Sequence, residues 1–573
     1  MINIEYYLSS ILNQALHLFI STPAYVNFLT GLTMTVAFLC GKRLRTFSKA
    51  AAPYLSPLLR LVGKLLHQTT KLLLISIVGL TFVVYLLSII LKVKIASIWL
   101  YVSSHLMFLV AGGVCGVLFS TLAILRLIPR WEKSDEFEDV EQILKMFKKF
   151  HGYDPLKFIN IKKGCFVGKD RFGKPIYIDW QKINESHAQV LGESGAGKGV
   201  ILGLIAYQCI LQRQPLVWFD PKFDSHSPKL LMQAAKTANT KFHFVNLNPN
   251  QSAQFNLFAD STENEIEEML VAGFNLRPTG ADADFYRGKD EDAALLMAQI
   301  AVNENLLSVP EVFLHSQKVS EITEQENFWR KFKKLASLEA INTKEGLNLK
   351  NAVLKGEIIY IVGSTENERV IILQKMLMVR ILQIIKGRDR AVKNRPICLV
   401  FDEFKYLLSS TSISALGVIR DFDAHCILAH QSLGDLEECV AVSPKAAYGA
   451  VLDNTSLKFV YKISDADHAE RLSKLAGKKR SFTSSTHISI NADSNVGSWH
   501  ETASYLIPPE LITHLPTPKD RPKQASTGIL FGLGKAQLFY VSPIKSNTNL
   551  QPVSVSATPY TTGSLVKSAQ EEI

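Results

Sequence analysis

At 573 residues the chain is too long for a single ordinary core, and length alone suggests roughly three to four domains. Lys and Arg exceed Asp and Glu by 63 to 52, which favours polyanions or a membrane surface as partners without demanding either. The seven cysteines (Cys40, Cys115, Cys165, Cys209, Cys398, Cys426 and Cys439) form no CxxC pair and no Cys/His cluster at metal-binding spacing, which argues against a zinc motif and for buried free thiols in a reducing cytosol.

The first 130 residues read as a membrane anchor. Between Lys71 and Lys92 lie 20 residues without a charge, enough to cross the hydrocarbon core as a helix over 72–91. From Ile95 to Leu125 there is again no formal charge, and a second, tilted span is expected over 98–125. A further span is expected over 24–40, whereas 6–22, with Asn13, Gln14 and His17, reads as interfacial. No basic segment precedes them, so a cleaved signal peptide is not expected. The 42–71 loop carries Lys42, Arg43, Arg45, Lys49, Arg60, Lys64 and Lys71 and no acid. The positive-inside rule makes it cytoplasmic and puts everything after Pro129 on the same side. Residues 131–180 then form a basic juxtamembrane linker and the start of the next domain. Lys145, Lys148, Lys149, Lys157, Lys162 and Lys163 suit anionic headgroups or a solvated helix face equally.

"HAQVLGESGAGKGVILGLI" (187–205) runs an apolar strand into a glycine-rich loop and then a helix. Gly192, Glu193, Ser194, Gly195, Ala196, Gly197 and Lys198 fit GxxxxGK. Glycines let backbone N–H groups wrap phosphate oxygens, the helix start adds positive potential, and the lysine reaches the β- and γ-phosphates. Gly199 stands where Ser or Thr usually ligates Mg²⁺. Water can take that position, because Mg²⁺ commonly keeps several waters.

"ICLVFDEF" (397–404) supplies the partner strand. Its five apolar residues suit a strand buried on both faces. Asp402 is then placed to hold the metal through water and Glu403 to polarise the attacking water. Further strands are read in "QPLVWFDPKFD" (214–224), "GEIIYIVGS" (356–364), "HCILAH" (425–430) and "SLKFVYKI" (456–463). Gln431, at the tip of one of them, is a candidate sensor of the γ-phosphate. Strands alternating with helices imply an α/β fold, a doubly wound parallel sheet with nucleotide at the strands' C-terminal ends. Residues 261–345 read as helices without strand alternation. The last 29 residues, rich in Ser and Thr with little bulk, read as disordered.

Taken together, the GESGAGKG loop, FDPK (219–222), FDEF (401–404), HQSLGDLEE (430–438), DNTSLKFVYKISDADHAERLSKLAG (453–477) and SYLIPPELITHLP (504–516) resemble the coupling proteins of type IV secretion and bacterial conjugation, the TraD/TraG-like family. More broadly they resemble the FtsK/HerA superfamily of translocases. The resemblance covers roughly 180–520. It implies a RecA-like P-loop ATPase domain (181–260 and 346–520) using ATP and Mg²⁺, an inserted all-α domain (261–345) that recognises cargo, and a last strand and tail over 521–573. It also implies N-terminal transmembrane helices in the bacterial inner membrane with the ATPase domain in the cytoplasm. The expected assembly is a homohexamer completed in trans by an arginine, with Arg420 the candidate and Arg471 or Arg480 the alternatives. The expected partners are single-stranded DNA, a relaxase or relaxosome, the secretion-channel subunits and the lipid bilayer. A receptor ATPase for protein effectors and an FtsK-type DNA translocase are the alternative readings.

Overall fold

The structure is a computed structural model. It describes residues 140–147, 150–277, 284–306, 308–392, 394–436, 443–487, 496–518 and 525–560, with a few isolated positions before residue 116. Among the described residues no helix is long and apolar enough to cross a membrane. The expected spans 24–40, 72–91 and 98–125 lie, apart from those isolated positions, outside the described residues. Residues 137–481 and 503–573 form one compact unit. Residues 1–136 and 482–502 group separately; what is described of the latter stretch belongs to two paired strands, Lys478–His487 and Val496–Tyr505.

The compact unit is built on an eleven-stranded sheet. In chain order its strands are β1 (Cys165–Asp170), β2 (Pro175–Ile178), β3 (His187–Leu191), β4 (Leu216–Asp220), β5 (Phe242–Asn246) and β6 (Ile358–Val362). There follow β7 (Ile397–Phe401), β8 (Ala424–His430), β9 (Thr455–Val460), β10 (Ser526–Phe531) and β11 (Gln537–Val541). Across the sheet the order is β2-β1-β11-β10-β9-β3-β8-β7-β4-β6-β5. The run from β9 to β5 is parallel throughout, which is the expected doubly wound core. On its other side β10, β11, β1 and β2 continue the sheet antiparallel, an extension of which the sequence announced only a last strand after residue 521.

Strands β3, β4, β6, β7 and β8 are buried along their whole length, as strands with helices on both faces must be, although β3 and β8 carry the buried polar residues His187, Gln189, His425 and His430. Alternate residues serve the two faces. Leu216 and Trp218 of β4 pack with helices α1 (Lys198–Leu211) and α2 (Ser227–Ala238). Val217 and Phe219 face the core of the opposite side.

Between β5 and β6 the longer described elements are helices: α3 (Glu263–Phe274), α4 (Asp284–Asn303), α5 (Val309–Ser316), α6 (Glu326–Ala336) and α7 (Leu349–Lys355). Thr262 and Glu265 form a reciprocal capping box that starts α3. These helices share one continuous core with the sheet through α8 (Glu368–Lys386). The buried Arg380 of α8 pairs with Glu265 at 3.1 Å and donates to the carbonyls of Ala259 and Asp260, locking the two elements together.

The expectation of disorder from residue 545 does not hold through Tyr560. The segment after β11 runs along the β5 edge as a strap. Ser546 Oγ meets His226 Nδ1 at 3.0 Å, Val555 N donates to Phe244 O, Ala557 N to Ala253 O and Tyr560 N to Asn342 O. Backbone pairing with an open sheet edge orders a segment whose side chains alone could not. Residues 561–573 lie outside the described residues.

Candidate nucleotide site

The phosphate loop joins β3 to α1. Gly192 and Gly197 both adopt positive φ, and their missing side chains let neighbours close in. A Cβ on Gly192 would meet Tyr461 Cβ at 2.6 Å, and one on Gly197 would meet Ser526 Oγ at 2.5 Å. Lys198, the first residue of α1, is 7 % exposed and curls over the loop, donating from Nζ to Gly192 O at 2.6 Å and Glu193 O at 3.3 Å. Burial lowers its pKa, and the carboxylates of Glu403 and Asp402 oppose that shift. Glu193 ties the loop to the segment after β9, accepting from Ser464 Oγ at 2.8 Å and pairing with Lys462 at 3.1 Å.

The loop opens on a cleft of about 380 Å³. Ser194, Gly195, Gly197, Lys198 and Gly199 line one wall, Asp402 and Glu403 another. The carboxylates arrive because β7 lies beside β8, which lies beside β3, all parallel, so that their C-terminal ends share one edge. Burial, reinforced by the negative charges of Asp220 and Glu403, raises the Asp402 carboxyl to about 7. Glu403 sits at positive φ (56°), almost fully buried, and Gln431 Nε2 approaches both its carboxylate oxygens at 3.3 Å. The geometry therefore brings Lys198, Asp402, Glu403 and Gln431 together. Arg420 lies elsewhere: it is exposed, in the short turn Ile419–Phe422 that precedes β8, at the opposite end of that strand from Gln431.

Further residues given no role by the sequence complete the cleft or brace it. Lys222 forms an ion pair with Glu403. It is held by Asp220, which accepts from Lys222 N at 3.0 Å, Asp224 N at 2.7 Å and Tyr360 Oη at 2.5 Å. Asp224 and His226 line the rim, and Pro543 and Ile544 of the strap close it. The FDPK signal was visible, but nothing in it said which carboxylate the lysine would meet. His430 braces the sensor turn from behind. Its Nδ1 lies 2.6 Å from Ser432 O and its Nε2 2.9 Å from Gln189 Nε2, so the ring donates to the carbonyl and accepts from the amide. Burial lowers its pKa to about 4, so the ring is neutral.

A curled glycine loop with a lysine inside it fits a di- or triphosphate. Hard carboxylate oxygens beside an open position suit Mg²⁺, which binds through oxygen and keeps part of its water shell. The open position is Gly199, where an added Cβ meets nothing within 4 Å.

Residues 331–536 match the family model for type IV secretory system conjugative DNA transfer. Mobilization protein A of Escherichia coli is 30 % identical over 320 residues, covering 56 % of this chain and 58 % of that relative, so the chain spans less than two thirds of its length. Among solved structures, the bacterial conjugative coupling protein TrwBdeltaN70 in its unbound monoclinic form matches with a TM-score of 0.51 at 16 % identity, over 70 % of this chain and 94 % of that one. Its trigonal form in complex with sulphate gives 0.50 at the same identity, over 71 % and 96 %. At such identity the structural matches speak for the fold alone. Over residues 331–536 the chain is thus similar to the type IV secretory system conjugative DNA transfer family, and its fold is like that of the coupling protein TrwBdeltaN70.

Proposed function

We propose that the protein is a membrane-anchored ATPase that moves single-stranded DNA, with a relaxase attached, into a type IV secretion channel. The observation that carries this is the meeting of Lys198, Lys222, Asp402, Glu403 and Gln431 in one cleft at the C-terminal edge of a parallel sheet. ATP is the substrate. Lys198 leaves its loop carbonyls and binds the β- and γ-phosphates. Asp402 would hold Mg²⁺ through its water shell, where the ion would neutralise charge on the phosphates. Glu403 accepts the proton of the attacking water once Lys222 shifts toward the phosphates. Gln431, which donates to Glu403, reports the γ-phosphate to β8. Arg420, remote from its own cleft, acts on a neighbouring subunit of a ring. The relative named a mobilization protein and the conjugative DNA-transfer family match support DNA as the cargo.

The test is ATP turnover by the full chain in detergent or bilayer, with and without single-stranded DNA. Turnover should rise with DNA of any sequence, the stimulation should fade as salt is raised, and Lys198→Ala should abolish it. Turnover indifferent to DNA, combined with tight binding of a secreted protein, would replace this reading with that of an effector receptor.

A further inference from the structure

Outside the nucleotide cleft, folding gathers three soft donors that are far apart in the chain. Cys209 near the end of α1, Cys398 in β7 and His425 in β8 are all buried, and their ligand atoms lie within 4.8 Å of one another. A tetrahedral zinc site, with Zn–S near 2.3 Å and Zn–N near 2.0 Å, places neighbouring ligand atoms about 3.5 Å apart, so only a small contraction separates this cluster from a coordination shell.

The surroundings prepare each donor. His425 Nε2 lies 3.0 Å from Gln214 Oε1, an acceptor only, so Nε2 carries the proton and Nδ1 keeps the free lone pair. The amide is itself fixed, because Gln214 Nε2 donates to Asn184 Oδ1 at 2.9 Å. This is the outer-shell arrangement that orients metal-binding imidazoles. The Cys209 thiol lies within hydrogen-bonding reach of both Cys398 and His425.

We propose that Cys209, Cys398 and His425 bind a structural Zn²⁺. Binding displaces the thiol protons to solvent and forms Zn–S and Zn–N bonds without redox change. The ion would bolt together α1, β7 and β8 at the end of the sheet away from the cleft. Those are the elements that present Lys198, Asp402–Glu403 and Gln431 at the other end.

The experiment measures zinc in the full-length chain, purified without a histidine tag or chelator from zinc-supplemented cells. One zinc per chain is expected, lost in Cys398→Ser and retained in Cys426→Ser, whose thiol belongs to the same strand as His425 but not to the ligand set. Should Cys398→Ser fail to fold, growth of the wild type in cobalt gives the answer: an intense near-ultraviolet thiolate-to-cobalt band is expected. Zinc that survives Cys398→Ser would overturn the proposal. So would a wild-type chain with neither zinc nor the cobalt band, which would make the cluster packed thiols only.

Discussion

Single residues set the chemistry of the cleft, and three of them separate alternatives. Gly199 has open space at its Cβ, so Gly199→Ser should fold normally and leave Mg²⁺-dependent turnover equal or higher. A tenfold drop in titrations of turnover against Mg²⁺ would show that the glycine serves some purpose other than leaving a site for water. Lys222 pairs with Glu403 rather than with the loop. If it positions the carboxylate, Lys222→Ala lowers kcat by roughly ten- to a hundredfold with little change in KM, whereas a phosphate ligand would show chiefly in KM. Steady-state kinetics at varied ATP distinguish the two. Burial holds His430 and His187 down at about 4, against 6.5 for a free imidazole. Between those pH values the unfolded chain binds more protons than the folded one. Stability is therefore full above about 6.5 and falls as the pH drops toward 4, by up to about 1.4 kcal/mol per pH unit for each ring. Urea melts of the full chain at stepped pH should show this slope, reduced in His430→Gln.

At the scale of elements, legibility followed burial. Strand β3 falls where HAQVL placed it, and β4, β6, β7, β8 and β9 overlap their expected segments, with ends up to four residues off. Most of their residues are buried and apolar, which is what made them readable. Strand β5, "FHFVN", is an edge strand with partly exposed residues, and its weaker pattern passed unread. Most of the antiparallel extension escaped for another reason: β1 and β2 precede the phosphate loop and β10 and β11 follow everything else, so their pairing exists only in three dimensions. The strap is the extreme case, since main-chain hydrogen bonds to Phe244, Ala253 and Asn342 fix it and composition carries no trace of them. The Cys/Cys/His cluster was hidden in the same way, its members lying on three separate elements. Deleting residues 546–573 removes the part of the strap along β5 while leaving Pro543 and Ile544 at the cleft. The expected result is a lower thermal midpoint and faster hydrogen exchange along β5, with nucleotide affinity changed less than stability. An unchanged midpoint would mean that the strap rests on the edge without supporting it.

Across the whole molecule, one sheet brings together sites that the sequence separates widely. The helical segment between β5 and β6 lengthens the gap between Lys198 and Asp402, yet it shares the core of the sheet's one face through α8. Movement at the cleft therefore has a packed route to those helices, through β7 and the α8 core, and by the strap through Asn342. The central claim is that the lysine at 198 and the acids at 402–403 act on one triphosphate. The most direct measurement is ATP hydrolysis by the full chain carrying Glu403→Gln, with nucleotide affinity determined on the same sample. Hydrolysis should fall about 10²- to 10⁴-fold while ATP still binds as in the wild type. Hydrolysis at the wild-type rate would contradict the account.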